Sequence, residues 1–221
     1  MTTPTIPMIA ESTLAESPDI GIRRHHWTRA EVYRALEGNG ITSAKRMELI
    51  AGELIEKMTQ NRPHGISLAK SQRVLGQVFG PGHYVSVQTP LAIDEENEPE
   101  PDLMVVIGAP DDYEDHPAAD SVRLVMEISD TTVRYDQTTK VQLYAQAGVG
   151  EYWLLNLKTR TLEIRREPII LSESTGAYGY RSLTLYRETD TLTAQQGGIS
   201  GSPTVPVSDL LPRLRTLEPS S

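Results

Sequence analysis

Two short apolar runs each carry one carboxylate near an end, and this combination constrains the fold more than any other feature of the chain. Residues 103–107 are five apolar residues in a row, and Asp102 comes directly before them. Residues 122–128 are apolar except for Arg123 and Glu127. Runs of this length, rich in Val and Ile, are typical of buried β-strands. Because acidic side chains are rarely buried unless they are paired or bind a metal, the two strands predict a shared site.

The spacing of the two runs predicts how their carboxylates meet. If the strands are antiparallel and joined by the polar loop 108–121, a register with Ile107 opposite Val122 also puts Asp102 opposite Glu127. Side chains of opposed residues point to the same face of a sheet, with Cβ atoms about 5 Å apart. Two carboxylates at that separation repel, and a divalent cation such as Mg²⁺ would remove the conflict. An exposed pair of strand-end acids without a metal is the alternative interpretation of the same spacing.

A lysine on the next predicted helix is the third candidate for the site. Residues 135–147 predict a helix that ends at Gly148. Asp136, Lys140 and Tyr144 recur at every fourth position and so lie on one face of this helix. Lys140 therefore borders the buried face and can lean toward the strand ends. The other interpretation is a surface lysine that pairs with Asp136.

Taken in order, these motifs resemble the Uma2 family of restriction-endonuclease-like proteins, within the PD-(D/E)xK nuclease superfamily. The resemblance runs from about Met47 to Arg165, more than half of the chain. Each motif alone is weak evidence for the family, but their order and spacing together are specific to it. The matching motifs are MELIAGELIE at 47–56, PHG at 63–65, PEPD at 99–102, VMEISD at 125–130, Lys140 with Tyr144, and AGVGEYWL at 147–154.

The resemblance implies an α/β fold, with a mixed β-sheet flanked by helices and an α-β-β-β-α-β core. It implies hydrolysis of phosphodiester bonds in DNA with the help of Mg²⁺ or Mn²⁺. The metal ligands would be Asp102, Glu127 and the backbone carbonyl of Ile128. The superfamily lysine normally lies two residues after the second acid, where this chain has Ser129. In Uma2-like chains that lysine comes from the following helix, which here supplies Lys140.

The resemblance also implies accessory residues around this catalytic set. Glu53 and His64 match family positions. Asp136 and Tyr144 would orient Lys140. Ser129 occupies the position where the superfamily usually has its lysine.

Net charge is the main argument against tight binding of nucleic acid. The chain has 21 Lys and Arg against 30 Asp and Glu, a net charge of −9. Because nucleic-acid affinity depends on neutralising phosphates, we expect weak, metal-dependent DNA binding by a locally basic face. Arg62, Lys70 and Arg73, on or next to a predicted helix at 64–79, are the candidates for that face. Cutting both strands of a duplex needs two active sites, so we expect a homodimer.

Two other functional classes stay open from the sequence. One is a non-catalytic regulatory or assembly module on a nuclease-like fold, which the acidic balance favours and the retained acids and lysine oppose. The other is a hydrolase of nucleotides or small phosphoesters, because an acidic surface repels a long polyanion far more than a short one.

The remaining features limit the kinds of protein that the chain can be. The chain has no apolar run of 18 residues and no basic, apolar leader at its start, so we expect no membrane span and a cytoplasmic location. The absence of cysteine excludes disulfides and cysteine-ligated zinc. We expect a mobile tail at residues 1–25, one domain at 26–212 and a loose tail at 213–221. Within the domain, the sequence further predicts a capped helix at 28–36, a hairpin at 47–58, strands at 84–93, 151–157, 161–166 and 180–186, a loop at 197–203, and a segment at 205–211 that packs back.

Overall fold

A six-stranded mixed β-sheet forms the centre of the protein in a computed structural model that describes residues 25–38, 40, 46–193 and 204–214. Nearly all of the predicted tail at 1–25, the predicted loop at 197–203 and most of 213–221 lie outside the described residues. The helices are α1 (Arg29–Glu37), α2 (Arg62–Phe79), α3 (Val133–Gln137) and α4 (Thr139–Gln146). The strands are β1 (Met47–Ile50), β2 (Glu53–Glu56), β3 (His83–Val87), β4 (Leu103–Ile107), β5 (Val122–Ser129), β6 (Glu151–Asn156), β7 (Thr161–Ser172), β8 (Ala177–Arg187), β9 (Thr191–Leu192) and β10 (Val205–Pro206).

The main sheet follows the order of the chain, from β3 at one edge to β8 at the other. All neighbouring pairs are antiparallel except β5 and β6, which are parallel. A parallel pair needs a crossover connection, and α3 and α4 supply it. The predicted α-β-β-β-α-β core is therefore confirmed as α2-β3-β4-β5, the α3–α4 crossover and β6. This crossover brings the helix that carries Lys140 back over the sheet.

Both faces of the sheet are covered, which explains why the central strands are apolar without interruption. Leu103 and Val105 of β4 pack on one face with apolar residues of α2 and of the C-terminal segment 205–211. Met104 and Val106 pack on the other face with Val141 and Tyr144 of α4. The segment 205–211 packs back as the sequence predicted, with Leu210 and Leu211 buried.

The register between β4 and β5 confirms half of the predicted alignment. Leu103 pairs with Met126, and the same register places Asp102 opposite Glu127, as predicted. At the far end the prediction is wrong, because Val106 and not Ile107 pairs with Val122. A β-bulge, which inserts one extra residue on the β5 side, shifts that end of the ladder.

Local signals placed most of the other elements correctly, but the strand predicted over 84–93 is too long, because β3 ends at Val87, before the left-handed backbone of Gln88. Thr28 and Glu31 form the predicted capping box of α1. The predicted hairpin is β1–β2, and its turn has left-handed backbone at Ala51 and Gly52. A Cβ on Gly52 would lie only 2.7 Å from His26, so the turn requires glycine for space as well as conformation. Along the described part of the chain, no helix is both long and apolar enough to cross a membrane.

Candidate active site

Asp102 and Glu127 meet at neighbouring strand ends, and the backbone of each strand bonds the acid of the other. The Asp102 amide donates to Glu127 Oε2 at 3.2 Å, and the Ile128 amide donates to Asp102 Oδ2 at 2.9 Å. Both residues are only 4% exposed. The interpretation as an exposed strand-end pair is therefore wrong, and the two carboxylates share one buried location.

Lys140 lies in the same location, which rules out the surface-lysine interpretation. It is 2% exposed, and its ammonium is 3.2 Å from Glu127 Oε1. It also donates to Glu48 Oε2. Tyr144, one turn further along α4, donates to the same Glu127 oxygen at 2.8 Å, and its hydroxyl is 3.5 Å from the Lys140 ammonium. Tyr144 therefore contacts Lys140, the residue that it was expected to orient, and also holds Glu127, which was not predicted.

Glu48 is a site residue that the sequence reasoning missed. It lies in β1, is 4% exposed and accepts hydrogen bonds from Lys140 and from the Glu100 amide. The resemblance implied an accessory role for Glu53 of the same motif, but Glu53 is exposed at the start of β2. A signal was available, because Glu48 interrupts the apolar residues of β1 in the same way that Glu127 interrupts β5.

His64 approaches the cluster from the first turn of α2. Its Nε2 is 3.0 Å from Asp102 Oδ2, and Asn61, the cap of the helix, accepts from the His64 amide at 3.0 Å. Gln60 and Gln88 donate to the other Asp102 oxygen, at 3.4 and 3.3 Å. Asp102 is therefore held from several directions.

Ser129 and Asp136 form a neighbouring polar group rather than direct partners of Lys140. Asp136 is buried and accepts from Thr132 Oγ1 at 2.7 Å, and Ser129 Oγ is 3.2 Å from the same threonine hydroxyl.

The predicted single helix over 135–147 is wrong. The chain breaks into α3 and α4 at Thr138, which leaves Lys140 in the first turn of α4.

Burial and close charges set the protonation of these groups. Burial alone would raise the pKa of Asp102, but the hydrogen bond with His64 and the charge of Lys57 bring it below its ordinary value. Burial raises the pKa of Glu127, against the opposing attraction of Lys140. For Lys140, burial is outweighed by the charges of Glu127 and Glu48, so its pKa is raised. Lys140 is therefore charged at neutral pH.

These residues line a cleft of about 240 Å³. Four buried carboxylates face it, from Glu48, Asp102, Glu127 and Asp136, against the single buried ammonium of Lys140. This excess of negative charge and hard oxygen donors suits a divalent cation such as Mg²⁺. No three Asp, Glu or His side chains of the described ranges converge into a complete metal centre. Mg²⁺ does not require one, because it usually takes one or two carboxylates and fills its shell with water and phosphate oxygens.

The three basic candidates lie along α2, at increasing distance from the cleft. Arg62 is the first residue of the helix, next to the cleft residue Asn61. Lys70 and Arg73 lie about 12 and 17 Å further along the axis. Lys70 donates to the carbonyls of Ser208 and Leu211, at 3.2 and 2.6 Å, so its ammonium holds the C-terminal segment.

Comparison with known proteins places the chain in a nuclease family. The sequence model of the Uma2 family, described as "Putative restriction endonuclease", matches residues 30–212. A solved structure, described as a "putative nuclease belonging to DUF820" from Anabaena variabilis, shares the fold with a TM-score of 0.60 at 13% sequence identity. The alignment covers 83% of this chain and 96% of that one. No protein of curated function matches the chain.

Proposed function

The chain belongs to the Uma2 family, and from this premise we propose that it is a metal-dependent endonuclease that hydrolyses phosphodiester bonds in DNA. The single observation that carries the proposal is the buried meeting of Asp102 and Glu127 with Lys140 in one cleft. Two acids and a lysine are the catalytic set of the superfamily that the motifs resemble. Their burial next to an accessible cleft is costly for stability, and it favours a role in binding and catalysis.

The metal would be held by Asp102, Glu127 and the carbonyl oxygen of Ile128. When bound, Mg²⁺ or Mn²⁺ polarises the scissile phosphate and lowers the pKa of a coordinated water. Because the Asp102 pKa is lowered, this carboxyl is ionised at neutral pH and ready to bind a cation. His64 and the Ile128 amide fix its orientation.

Lys140 supplies the positive charge of the site. An ammonium has three N–H donors, and the ion pairs with Glu48 and Glu127 engage two of them. The third makes only the long, 3.5 Å bond to the Tyr144 hydroxyl. A phosphate oxygen on which negative charge develops, or the attacking water, can replace this weak bond. Glu48 and Tyr144 act through Lys140 and Glu127 and are positioning residues.

The net charge favours a second candidate, a hydrolase of single nucleotides or small phosphoesters. With a net charge of −9, the protein repels a long polyanion more strongly than a short substrate. We retain the endonuclease as the main proposal because the family match extends over residues 30–212. We also propose a homodimer, because two active sites are needed to cut both strands. Sedimentation equilibrium would test this assembly.

The test of the main proposal is cleavage of supercoiled plasmid at low ionic strength with Mg²⁺ or Mn²⁺. We expect nicked and linear products from the wild type, none after chelation, and none from Asp102→Asn. Asp111→Asn makes the same change at an exposed carboxylate and should cleave like the wild type. A wild type that cuts no polynucleotide but hydrolyses a nucleotide would establish the second candidate instead.

A further inference from the structure

The hydroxyl of Tyr135 is buried in the cleft and has no hydrogen-bond partner among the described residues. A buried donor without a partner is costly, so nearly all such groups in folded proteins are satisfied. Tyr135 lies close enough to Glu48 and Lys140 for their charges to affect its pKa, which burial raises above its ordinary value. The hydroxyl is therefore a protonated donor beside the lysine, and it is free to bond a molecule that enters the cleft.

A second, more open hollow lies beside the cleft. The two share Thr131, Thr132 and Tyr135 as common walls. Arg134 and Thr138 complete the outer hollow. The exposed guanidinium of Arg134 makes no ion pair or hydrogen bond with another described residue. Guanidinium has only donors and its fork matches a phosphate, so the outer hollow suits an oxyanion.

We propose that Arg134 and Tyr135 form a phosphate-binding subsite beside the carboxylates and Lys140. Its ligand is the backbone phosphate next to the scissile phosphate. Arg134 binds this neighbouring phosphate, and Tyr135 lies between the positions of the two phosphates. This inference rests on the proposed nuclease function and narrows its substrate class. A substrate with adjoining phosphates uses both hollows, whereas a single phosphodiester uses only the inner one.

The experiment compares two substrates in three variants, all with Mg²⁺ or Mn²⁺. One substrate is a duplex oligonucleotide, and the other is bis(p-nitrophenyl) phosphate, which has one phosphodiester and no adjoining phosphate. Arg134→Ala and Tyr135→Phe remove the proposed donors. Arg123→Ala is the matched control, because Arg123 is exposed near the opposite end of β5, about 13 Å from Glu127 along the strand.

For Arg134→Ala we expect kcat/KM on the oligonucleotide to fall about 10-fold, mainly through KM, the scale for one charge-assisted hydrogen bond. The loss on bis(p-nitrophenyl) phosphate should be several-fold smaller. The slope of log affinity against log salt for the oligonucleotide should decrease by about 0.7–0.9, the effect of one lost phosphate contact. Arg123→Ala should match the wild type in all three measurements.

For Tyr135→Phe we expect a lower kcat/KM on the oligonucleotide together with an unchanged or higher melting temperature, because the hydroxyl has no partner to lose. Tyr180→Phe should instead lower the melting temperature, because the Tyr180 hydroxyl donates to the Val149 carbonyl at 2.9 Å. A destabilised Tyr135→Phe would assign that hydroxyl to the fold and overturn its part in the subsite.

The remaining outcomes separate the subsite from the proposed function. If the wild type hydrolyses both substrates and Arg134→Ala loses the same factor on each, or Arg123→Ala loses as much as Arg134→Ala, the subsite is wrong while the nuclease stands. If the wild type hydrolyses only bis(p-nitrophenyl) phosphate, the subsite and the endonuclease are both wrong. If it hydrolyses neither, the proposed function itself fails.

Discussion

Lys140, in the first turn of α4, donates to Glu48 of β1, 92 residues earlier in the chain, and both side chains are almost completely buried. This bond ties the β1–β2 hairpin, which lies outside the main sheet, to the carboxylate cluster. Glu48 also accepts from the Glu100 amide, close to Asp102 in the chain. One glutamate therefore fixes both the lysine and the segment that leads into Asp102.

Replacement of Glu48 should reduce activity and stability together. Glu48→Ala leaves Lys140 with Glu127 as its remaining acidic partner, and breaking a buried ion pair costs about 3–5 kcal/mol. We expect the rate of plasmid cleavage to fall about 10-fold or more as the ammonium loses its position. Urea unfolding and plasmid cleavage measure the two effects. Glu53→Gln, at the exposed glutamate of the same hairpin, is the control. An equal loss of activity in that variant would assign the role in positioning Lys140 to Glu53.

Lys140 should matter for stability as well as for catalysis. Lys140→Met should cut the rate about 100-fold or more, the scale for loss of one preorganised charge stabiliser. It also leaves Glu48 and Glu127 buried next to each other without their cation, so we expect a loss of several kcal/mol.

A double variant separates these two effects of Lys140. Glu48→Gln combined with Lys140→Met removes both partners, and it should be more stable than Lys140→Met alone but equally inactive. Circular dichroism with urea gives the stabilities. A fully active Lys140→Met protein would contradict the catalytic role.

The sequence predicted those parts of the site that depend on local spacing. Asp102 and Glu127 meet because β4 and β5 are antiparallel neighbours joined by one loop, and their ladder keeps the predicted register at the end where both acids lie. The four-residue spacing of Lys140 and Tyr144 likewise survived the break in the helix, because both residues lie within α4.

What the sequence could not predict depends on contacts between distant segments. The bond between Glu48 and Lys140 joins a separate hairpin to the crossover helix, and no spacing within either segment encodes it. The bulge falls at Arg123, the exposed residue between Val122 and Leu124, and one exposed charge near the start of a strand does not by itself predict a bulge. The break at Thr138 is likewise unmarked, because threonine is only a moderately poor helix former and neither Gly nor Pro lies there.

Divalent metal should stabilise the folded protein through Glu127. A ligand that binds only the folded state stabilises it by about 2.7 kcal/mol at 100 times its dissociation constant. For a chain of this size, that corresponds to a rise of several degrees in melting temperature. We expect this rise with Mg²⁺ or Mn²⁺, not with NaCl of equal ionic strength, and not in Glu127→Gln. Differential scanning calorimetry before and after chelation is the measurement, and a metal-dependent rise that persists in Glu127→Gln would place the cation elsewhere.

Charge reversal along α2 should separate a role in DNA binding from a role in the fold. Arg62→Glu changes an exposed residue beside the cleft, so we expect weaker oligonucleotide binding at low salt with little change in stability. Lys70→Glu removes the donor that holds the carbonyls of Ser208 and Leu211, so we expect a loss of about 1 kcal/mol or more. Arg73→Glu carries the same charge change on an exposed side chain further from the cleft.

Fluorescence anisotropy with a labelled duplex, in an Asp102→Asn background that prevents cleavage, measures the binding of all three α2 variants. Thermal melting measures their stability. If Arg62→Glu weakens binding most and Lys70→Glu mainly lowers the melting temperature, DNA approaches from the amino-terminal end of α2. Equal losses of binding in all three variants, with unchanged melting temperatures, would instead make the whole length of α2 the DNA-binding face.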